Sequence, residues 1–514
     1  MKLDAISIKW AINHIKHKRD TDLFPVLKEY NILFEDEEAL VRELCNLDIG
    51  AYKWQPYRRF IIPKDEYSYR VAMQLDPIDN ILFVAITYQF GDKIEKKRIP
   101  IEKKMVFNYR FSPNENGDLY DKAEAWYNFW STSKENIAWY SHAVYIDIAD
   151  FYNRIYHHTL ENQLIACGFE NQVIKAIKNL LQNTTQTTSQ GIPTGPHASH
   201  IYAEMCLIPL DEGLICKGYE FCRYADDIII FTDSEVQARI VIYEMAKILD
   251  SLKLNMQRNK TRIFNQEEFE AYCDDMLVDN PISELEKEMN TVLSNHLDRL
   301  YGDTDYVNLD DINKEFFSEE TLQKILLEYL DGDLDYQRIR WFYKRLSKVG
   351  VDTALGVTVK EFDRLIPAIN DIALYFASIA DSSGAGLREV GRQLLGLLKN
   401  EIIKSNDFFQ ITILNLFSYT NKFNHISNLI NLFGSSNDYV KREIILAAYT
   451  SDAVAWIREI KQEYLNLGIW TQRALLIASS LLPVDERKYF IQNVTSNQQE
   501  NLTIKLISKI ILKK

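Results

Sequence analysis

Apolar residues recur at helical spacing through the first fifty residues. They do so in "AISIKWAINHIKH" and again in "FEDEEALVRELCNL", whose first turn carries acids where the helix dipole favours them. A small N-terminal helical arm over residues 1–50 is the expectation. From "RRFIIPK" to about Phe264 the pattern shortens to β-branched and aromatic runs, "NILFVAITYQF", "HAVYIDI" and "DIIIFT", set between helical segments. That alternation predicts an α/β region over residues 51–280. After "RNKTRIF" the strand pattern stops, and "NPISELEKEMNTVLSNHLDRL" opens with a capping-box pattern at Ser283 and Glu286. From there residues 281–514 read as helices separated by turns such as "GSSND" and "LLPVDER". Trp470, Ala474, Ile477, Ala478 and Leu481 fall on one helix face, and Val440, Ile444 and Ala448 repeat the pattern. Stacked helix pairs resembling HEAT repeats account for this spacing, because each pair must bury its apolar face on its neighbour. The fold class expected is α/β followed by all-α.

Composition changes this picture little. With 46% hydrophobic and 26% charged residues the chain is of ordinary globular type, and 514 residues are too many for one core. A net charge of -14 and a pI near 5.3 exclude indiscriminate coating of nucleic acid, which depends on neutralising phosphates. A local basic groove stays open in "YKWQPYRRFIIPK" and "GDKIEKKRIPIEKK", where a solvated, lysine-rich strand edge is the competing reading. Six cysteines without a CxxC pair or a histidine partner at ligand spacing argue against a disulfide framework and a zinc site, and for a reducing cytosol. The start, "MKLDAISIKWAINHIKHKRD", is broken by charge every few residues, so neither a signal peptide nor a membrane anchor is expected.

The chemistry concentrates in "FCRYADDIIIF". Asp pairs also stand at Asp274 with Asp275 and at Asp310 with Asp311, in acidic surroundings where a solvated surface explains them. Asp226 and Asp227 instead interrupt a strand, a tight turn and a second strand, where like charges repel unless something positive joins them. Asp147 ends another apolar strand in "AVYIDIADFYNRI". With that strand beside the hairpin, the three carboxylates converge on a point with room for two Mg²⁺ ions roughly 3.5–4 Å apart. Oxygen ligands alone favour Mg²⁺ over zinc, with Mn²⁺ an alternative. Between these sites "TSQGIPTGPHASHIYAEMCLIPLDEGL" supplies Gln190, Gly191, Gly195 and Pro196 in a tight loop, then a long amphipathic helix. The glycines allow close approach of a flat or phosphorylated ligand, and a plain turn before a core helix is the alternative. His157, His158, His197 and His200 read as surface, helix-end or structural histidines.

The order "DIADFYNRI", "QGIPTGP", "YADD", "LKLNMQRNKT" within residues 140–264 resembles the palm motifs of reverse transcriptases, and "PKDEYSYRVAMQLDPIDNILFVAI" resembles their fingers. The resemblance covers residues 55–265 and implies a reverse-transcriptase-like fingers and palm ahead of the helical repeats. It implies that Asp147, Asp226 and Asp227 bind the metals, the second Asp of the pair mattering less for ligation. By the same resemblance Arg70 meets the incoming triphosphate, with Lys64 as a second phosphate contact. Tyr152 excludes a ribose 2′-OH, Gln190 and Gly191 pack against the nucleotide, and Lys260 assists the leaving pyrophosphate.

The glycine loop departs from the usual Ser-Pro ending, with Gly195 and Pro196, and an acidic stretch "YGDTDYVNLDDINKEFFSEE" stands where a duplex-gripping thumb is expected. A palm without the usual thumb, fused to helical repeats, resembles the bacterial abortive-infection (Abi) reverse transcriptases of phage defence. That resemblance implies a cytoplasmic homo-oligomer, a trimer or hexamer. It implies synthesis of single-stranded DNA from deoxynucleoside triphosphates without a template, primed from a tyrosine of the protein itself. Tyr30, Tyr52 and Tyr57 in the N-terminal region are the priming candidates. A conventional RNA-templated reverse transcriptase of a retron-like or other defence system is the alternative.

Overall fold

A computed structural model describes residues 1–21, 23–121, 124–186, 188–277, 283–294, 315–332, 334–382, 387–497 and 501–514. Asp310, Asp311 and most of the acidic stretch lie outside the described residues. The chain forms two compact units. The first is Met1–Asp22, Asp36–Arg58 and Met73–Asn280; the second is Leu23–Glu35, Arg59–Ala72 and Pro281–Lys514.

The first fifty residues do not form an arm of their own. Helix Ala5–Lys18 buries Ile8, Ala11, Ile12 and Ile15 and packs on helix Pro77–Glu95, with Trp10 stacked on Tyr88 at 4.5 Å. Helix Lys28–Leu33 buries Tyr30, Ile32 and Leu33 instead against helices Ile469–Ala478 and Leu502–Ile511 of the second unit. Each apolar face is covered by whichever unit reaches it, so one stretch of sequence is shared out between the two.

The first unit is built on strands β5 (His142–Asp147), β6 (Phe221–Tyr224), β7 (Asp227–Thr232) and β8 (Arg262–Asn265), in the antiparallel order β6-β7-β5-β8. Four further strands precede them: β1 (Arg58–Pro63), β2 (Tyr69–Gln74), β3 (Arg110–Phe111) and β4 (Tyr120–Asp121) pair as β1-β2 and β3-β4. β7 is an unbroken apolar run because both faces of the sheet are covered. On one face Ala143, Cys222, Ile229 and Phe231 pack with Phe129, Trp130, Phe269 and Cys273 of helices Ala125–Ile137 and Gln266–Leu277. On the other lie helices Ala198–Cys216 and Glu235–Ser251. All six cysteines are free thiols.

Two element readings change. "NILFVAITYQF" is no strand: it lies within helix Pro77–Glu95, started by the Asp76 side chain on the Ile78 and Asp79 amides and by Pro77 in the first turn. The helix is buried almost all round, which erases the 3.6-residue period. For the same reason helix Ala198–Cys216 is buried on nearly every side and is not amphipathic.

The second unit continues as helices. Asp438–Thr450 packs on both Asp407–Tyr419 and Ile469–Ala478, and Tyr336–Val349 packs on Ile369–Ser382. The Ser283 hydroxyl accepts from the Glu286 amide at 3.2 Å, capping helix Glu284–Ser294. The β1–β2 hairpin, from Arg59 to Ala72, belongs to this unit. No helix among the described residues is long and apolar enough to cross a membrane.

Candidate active site

The antiparallel register sets Asp147, the last residue of β5, opposite Asp227, the first of β7. Asp226 sits between them in the two-residue turn joining β6 to β7, where Tyr224 pairs with Asp227. Ala225 in that turn has φ +54°, a conformation that costs a residue with a Cβ about 1 kcal/mol. Its carbonyl accepts from Arg223 Nη1 at 3.1 Å, which helps to fix the turn. Ile148 donates its amide to the Asp226 carbonyl at 3.2 Å, and Gln257 donates to the Asp147 carbonyl at 2.7 Å. The backbone of all three segments is therefore joined at the strand ends.

The side chains show how three negative charges are held. Lys260 Nζ lies 2.6 Å from Asp147 Oδ2, and the Tyr145 hydroxyl donates to Asp227 Oδ1. Burial, then the charges of Asp227 and Asp147, push the Asp226 carboxyl up to about 7. Burial also raises Asp227, against the Tyr145 hydrogen bond. Burial alone would lower the Lys260 ammonium, but the Asp147 carboxylate outweighs it and holds the pKa up. Tyr145, two residues before Asp147 and on the same strand face, was not marked by any motif. Its ring packs near Trp130 and Tyr272.

Asp226 makes a pH signature of its own. Folding raises its pKa from 3.8 to about 7, so the folded protein keeps a proton that the unfolded chain has lost. The stability this contributes is fully present below pH about 4, falls as pH rises, and is gone above about 7. Asp226→Asn is expected to stabilise the metal-free protein at pH 7.5 by on the order of 1–2 kcal/mol and to flatten its decline between these limits. Thermal unfolding across that range checks it, and a variant no more stable than the wild type at pH 7.5 contradicts it.

The donor set fits a hard divalent cation: carboxylates alone, at adjoining strand ends, with Asp226 and Asp227 raised by burial and by the charge of Asp147. As placed, Asp147 is turned to Lys260 and Asp227 to Tyr145. Among the described residues no group of three His, Cys, Asp or Glu side chains is gathered as a ready cation cage.

Beneath the turn lies a buried charge network that the motifs do not reveal. Arg223 is fully buried and meets Asp211 with a fork of two bonds at 2.7 Å and Glu204 at 3.0 and 3.1 Å. Arg98 adds a bond to Glu204 at 2.7 Å and one to the Tyr109 carbonyl, and Asn108 donates to Glu204 at 2.8 Å. Arg98 comes from the stretch read as a basic groove, and Arg58 from the other such stretch is buried against Gln74. The lysines at 96, 97, 103 and 104 are the exposed members, and they follow a helix and not a strand edge.

The glycine loop is tied to the same region. Gly191, at φ +100°, donates to the Ile155 carbonyl at 2.8 Å, and Ile192 donates to the Tyr152 carbonyl at 2.9 Å. Gln190 is exposed and bridges to Tyr156. Gly195, at φ +132°, has the Met73 carbonyl where a Cβ would come within 2.6 Å, so no side chain fits there. The Tyr152 hydroxyl meets His200 Nδ1, and His200 stacks on Tyr109 at 4.2 Å. His157 is no surface residue: it is buried, and its Nε2–H donates to the Gly191 carbonyl at 2.8 Å. His158 is exposed, as expected.

Lys64 and Arg70 belong to the second unit. Lys64 is exposed, while Arg70 Nε is buried with no hydrogen-bond partner. Of the three tyrosines put forward for priming, Tyr30 is 1% exposed and presents no hydroxyl to a nucleotide. The Tyr52 hydroxyl donates to Asp79 at 2.8 Å, and Tyr57 is half-buried.

Residues 93–271 match the family described as reverse transcriptase (RNA-dependent DNA polymerase). No curated protein matches the chain. Solved structures similar to it include telomerase from Candida albicans in complex with a fragment of telomeric RNA, at 11% identity and a TM-score of 0.32, over 82% of this chain and 66% of that one. Telomerase from Candida tropicalis, also with telomeric RNA, is similar at 11% identity and TM-score 0.32, over 70% of this chain and 67% of that one. The chain thus spans about two thirds of the length of these proteins.

Proposed function

We propose that this chain, whose residues 93–271 are a reverse transcriptase domain and which is a nucleotidyltransferase of the RNA-directed DNA polymerase class, makes DNA without a template as part of a bacterial abortive-infection defence. The observation that carries the chemistry is the placement of Asp147 opposite Asp227 at paired strand ends, with Asp226 in the adjoining turn and Lys260 on Asp147. These aspartates would hold Mg²⁺ or Mn²⁺, which when bound activates an attacking hydroxyl and offsets charge on the α-phosphate. Lys260 is half exposed and kept protonated by Asp147, so it can give a proton to a departing pyrophosphate. His157 and the Ile155 carbonyl, which accepts from the Gly191 amide, hold Gly191 in the conformation that lets a nucleotide lie close.

Untemplated synthesis is supported by the chain beyond Lys260, where helices and an acidic stretch replace a basic duplex clamp. The proposed HEAT-like repeats are the helices of the second unit, in which Tyr336–Val349, Ile369–Ser382, Asp407–Tyr419, Asp438–Thr450, Ile469–Ala478 and Leu502–Ile511 pack in succession. Priming from a tyrosine of the chain and a homo-oligomeric, cytoplasmic state complete the reading. The exposed lysines after helix Pro77–Glu95 favour the second reading, a conventional RNA-templated enzyme of a retron-like system. Cells expressing the chain are expected to survive phage as a population, and to lose that protection when Asp226 and Asp227 are both replaced by alanine. Purified protein that extends a primer on RNA but makes nothing without one supports the second reading, and protection that survives the double replacement overturns both.

Tyr152 gives a separate check. With its ring held through the hydroxyl by His200, it can bar a ribose 2′-OH, so Tyr152→Ala is expected to raise ribonucleotide use relative to deoxynucleotide use by ~10-fold or more. An unchanged ratio in competition assays removes Tyr152 from this role.

A further inference from the structure

The β1–β2 hairpin carries both residues assigned to the triphosphate, Lys64 and Arg70, and it is folded into the helical unit. Its tip is closed locally: Asp65 Oδ1 accepts from the Tyr67 and Ser68 amides at 2.9 and 2.7 Å, and the Lys64 amide donates to the Ser68 carbonyl at 2.9 Å. Such a turn shapes itself but does not say where it points.

The direction comes from residues nearly three hundred positions away. Arg340, on helix Tyr336–Val349, directs Nη2 at the Lys64 carbonyl at 2.6 Å, the Pro63 carbonyl at 3.4 Å and the Pro367 carbonyl at 3.0 Å. One guanidinium thus spans the hairpin and the turn before helix Ile369–Ser382. The buried carboxylate of Asp371 lies 4.0 Å from Arg340 Nε and 3.8 Å from Lys344 Nζ. Nearer the root of the hairpin, Asn406 Nδ2 donates to the Ile61 carbonyl at 3.0 Å, and the buried ring of Phe60 lies 5.5 Å from Phe24 and 5.0 Å from Tyr439. Arg70 is close enough for its charge to act on Arg340. All three contacts leave one nitrogen, Nη2, whose two hydrogens serve the Lys64 and Pro367 carbonyls, with the Pro63 carbonyl at the outer limit of bonding distance.

We propose that Arg340 is a positioning residue for nucleotide binding: through Arg340 and Asn406 the helical unit holds the hairpin that carries Lys64 and Arg70, the residues assigned to the triphosphate, in one fixed pose on its own helices. This rests on the assignment of Arg70 to the triphosphate given above, so the test has one arm that does not.

In the full-length protein, Arg340→Ala is expected to speed amide hydrogen exchange across residues 58–74 by ~10-fold or more, with exchange in helix Asp438–Thr450 unchanged. Asn406→Ala is expected to do the same near Ile61, which guards against a folding defect peculiar to the first variant. In nucleotide incorporation, Arg340→Ala should raise KM for the deoxynucleotide by ~10-fold with kcat within about twofold, and Arg340→Lys should recover part of that. Added to Arg70→Ala it should cost nothing more, since it acts through that residue. Unchanged exchange in residues 58–74, or a KM effect of full size on top of Arg70→Ala, overturns the proposal. If the wild type incorporates no nucleotide under any condition, the functional reading fails, while the exchange arm still decides whether Arg340 holds the hairpin.

Discussion

Arg223→Met is expected to destabilise the first unit by about 3–5 kcal/mol, because it removes one partner of a buried ion network and strands the others. Arg223 is fully buried, and its fork meets both oxygens of Asp211 at 2.7 Å. Burial works against the guanidinium's charge, but Asp211 and Glu204 outweigh it and hold its pKa up. Without the arginine, Glu204 keeps Arg98 and Asn108, whereas Asp211 is left as a buried carboxylate whose pKa burial has already raised. The loss also frees the Ala225 carbonyl, and with it the strained turn that carries Asp226. Chemical denaturation followed by a probe in the first unit measures the effect. Adding Asp211→Asn to Arg223→Met should recover part of the loss by removing the stranded charge. A loss below about 1 kcal/mol for Arg223→Met would mean that the network contributes packing alone.

Asp147→Asn is expected to leave a folded protein and to lower deoxynucleotide incorporation by about a thousandfold or more. The amide matches the carboxylate in shape and still accepts from Lys260 through its oxygen, and it relieves the repulsion that Asp226 and Asp227 feel from a third charge. What it cannot supply is the hard, anionic oxygen pair that a divalent cation needs. The change therefore separates stability from chemistry, the pattern of a site whose charges repel one another in the metal-free protein. A variant that unfolds, or one that keeps more than a tenth of the activity, does not fit this account.

The candidate site was readable in its polar interruptions. Strand runs that end in Asp147 and turn at Asp226 announce carboxylates at strand ends, and the sheet order β6-β7-β5 puts them side by side. The supports were not readable. Arg223, Glu204 and Asp211 sit inside apolar runs and find one another only through the fold, and Arg98 looks like any cation of a basic stretch. His157 has no sequence mark to distinguish it from His158, yet one is buried on Gly191 and the other is in solvent. The share-out of residues 23–35 and 59–72 was hidden for a related reason. Local periodicity reports that a face will be buried and is silent on what covers it, whether helix Pro77–Glu95 for helix Ala5–Lys18 or Tyr439 for Phe60. Burial on every side also erased the helical period of "NILFVAITYQF".

The most direct test is a single incubation of purified wild-type protein, and of Asp147→Asn beside it, with labelled deoxynucleotides and Mg²⁺ and no template or primer. The expected result is labelled DNA in the wild type, migrating with the protein under denaturing conditions until it is digested by protease, and no more than about a thousandth of it in the variant. Equal labelling in the two proteins, or none in the wild type even when an annealed RNA template is added, would contradict a polymerase built on these aspartates.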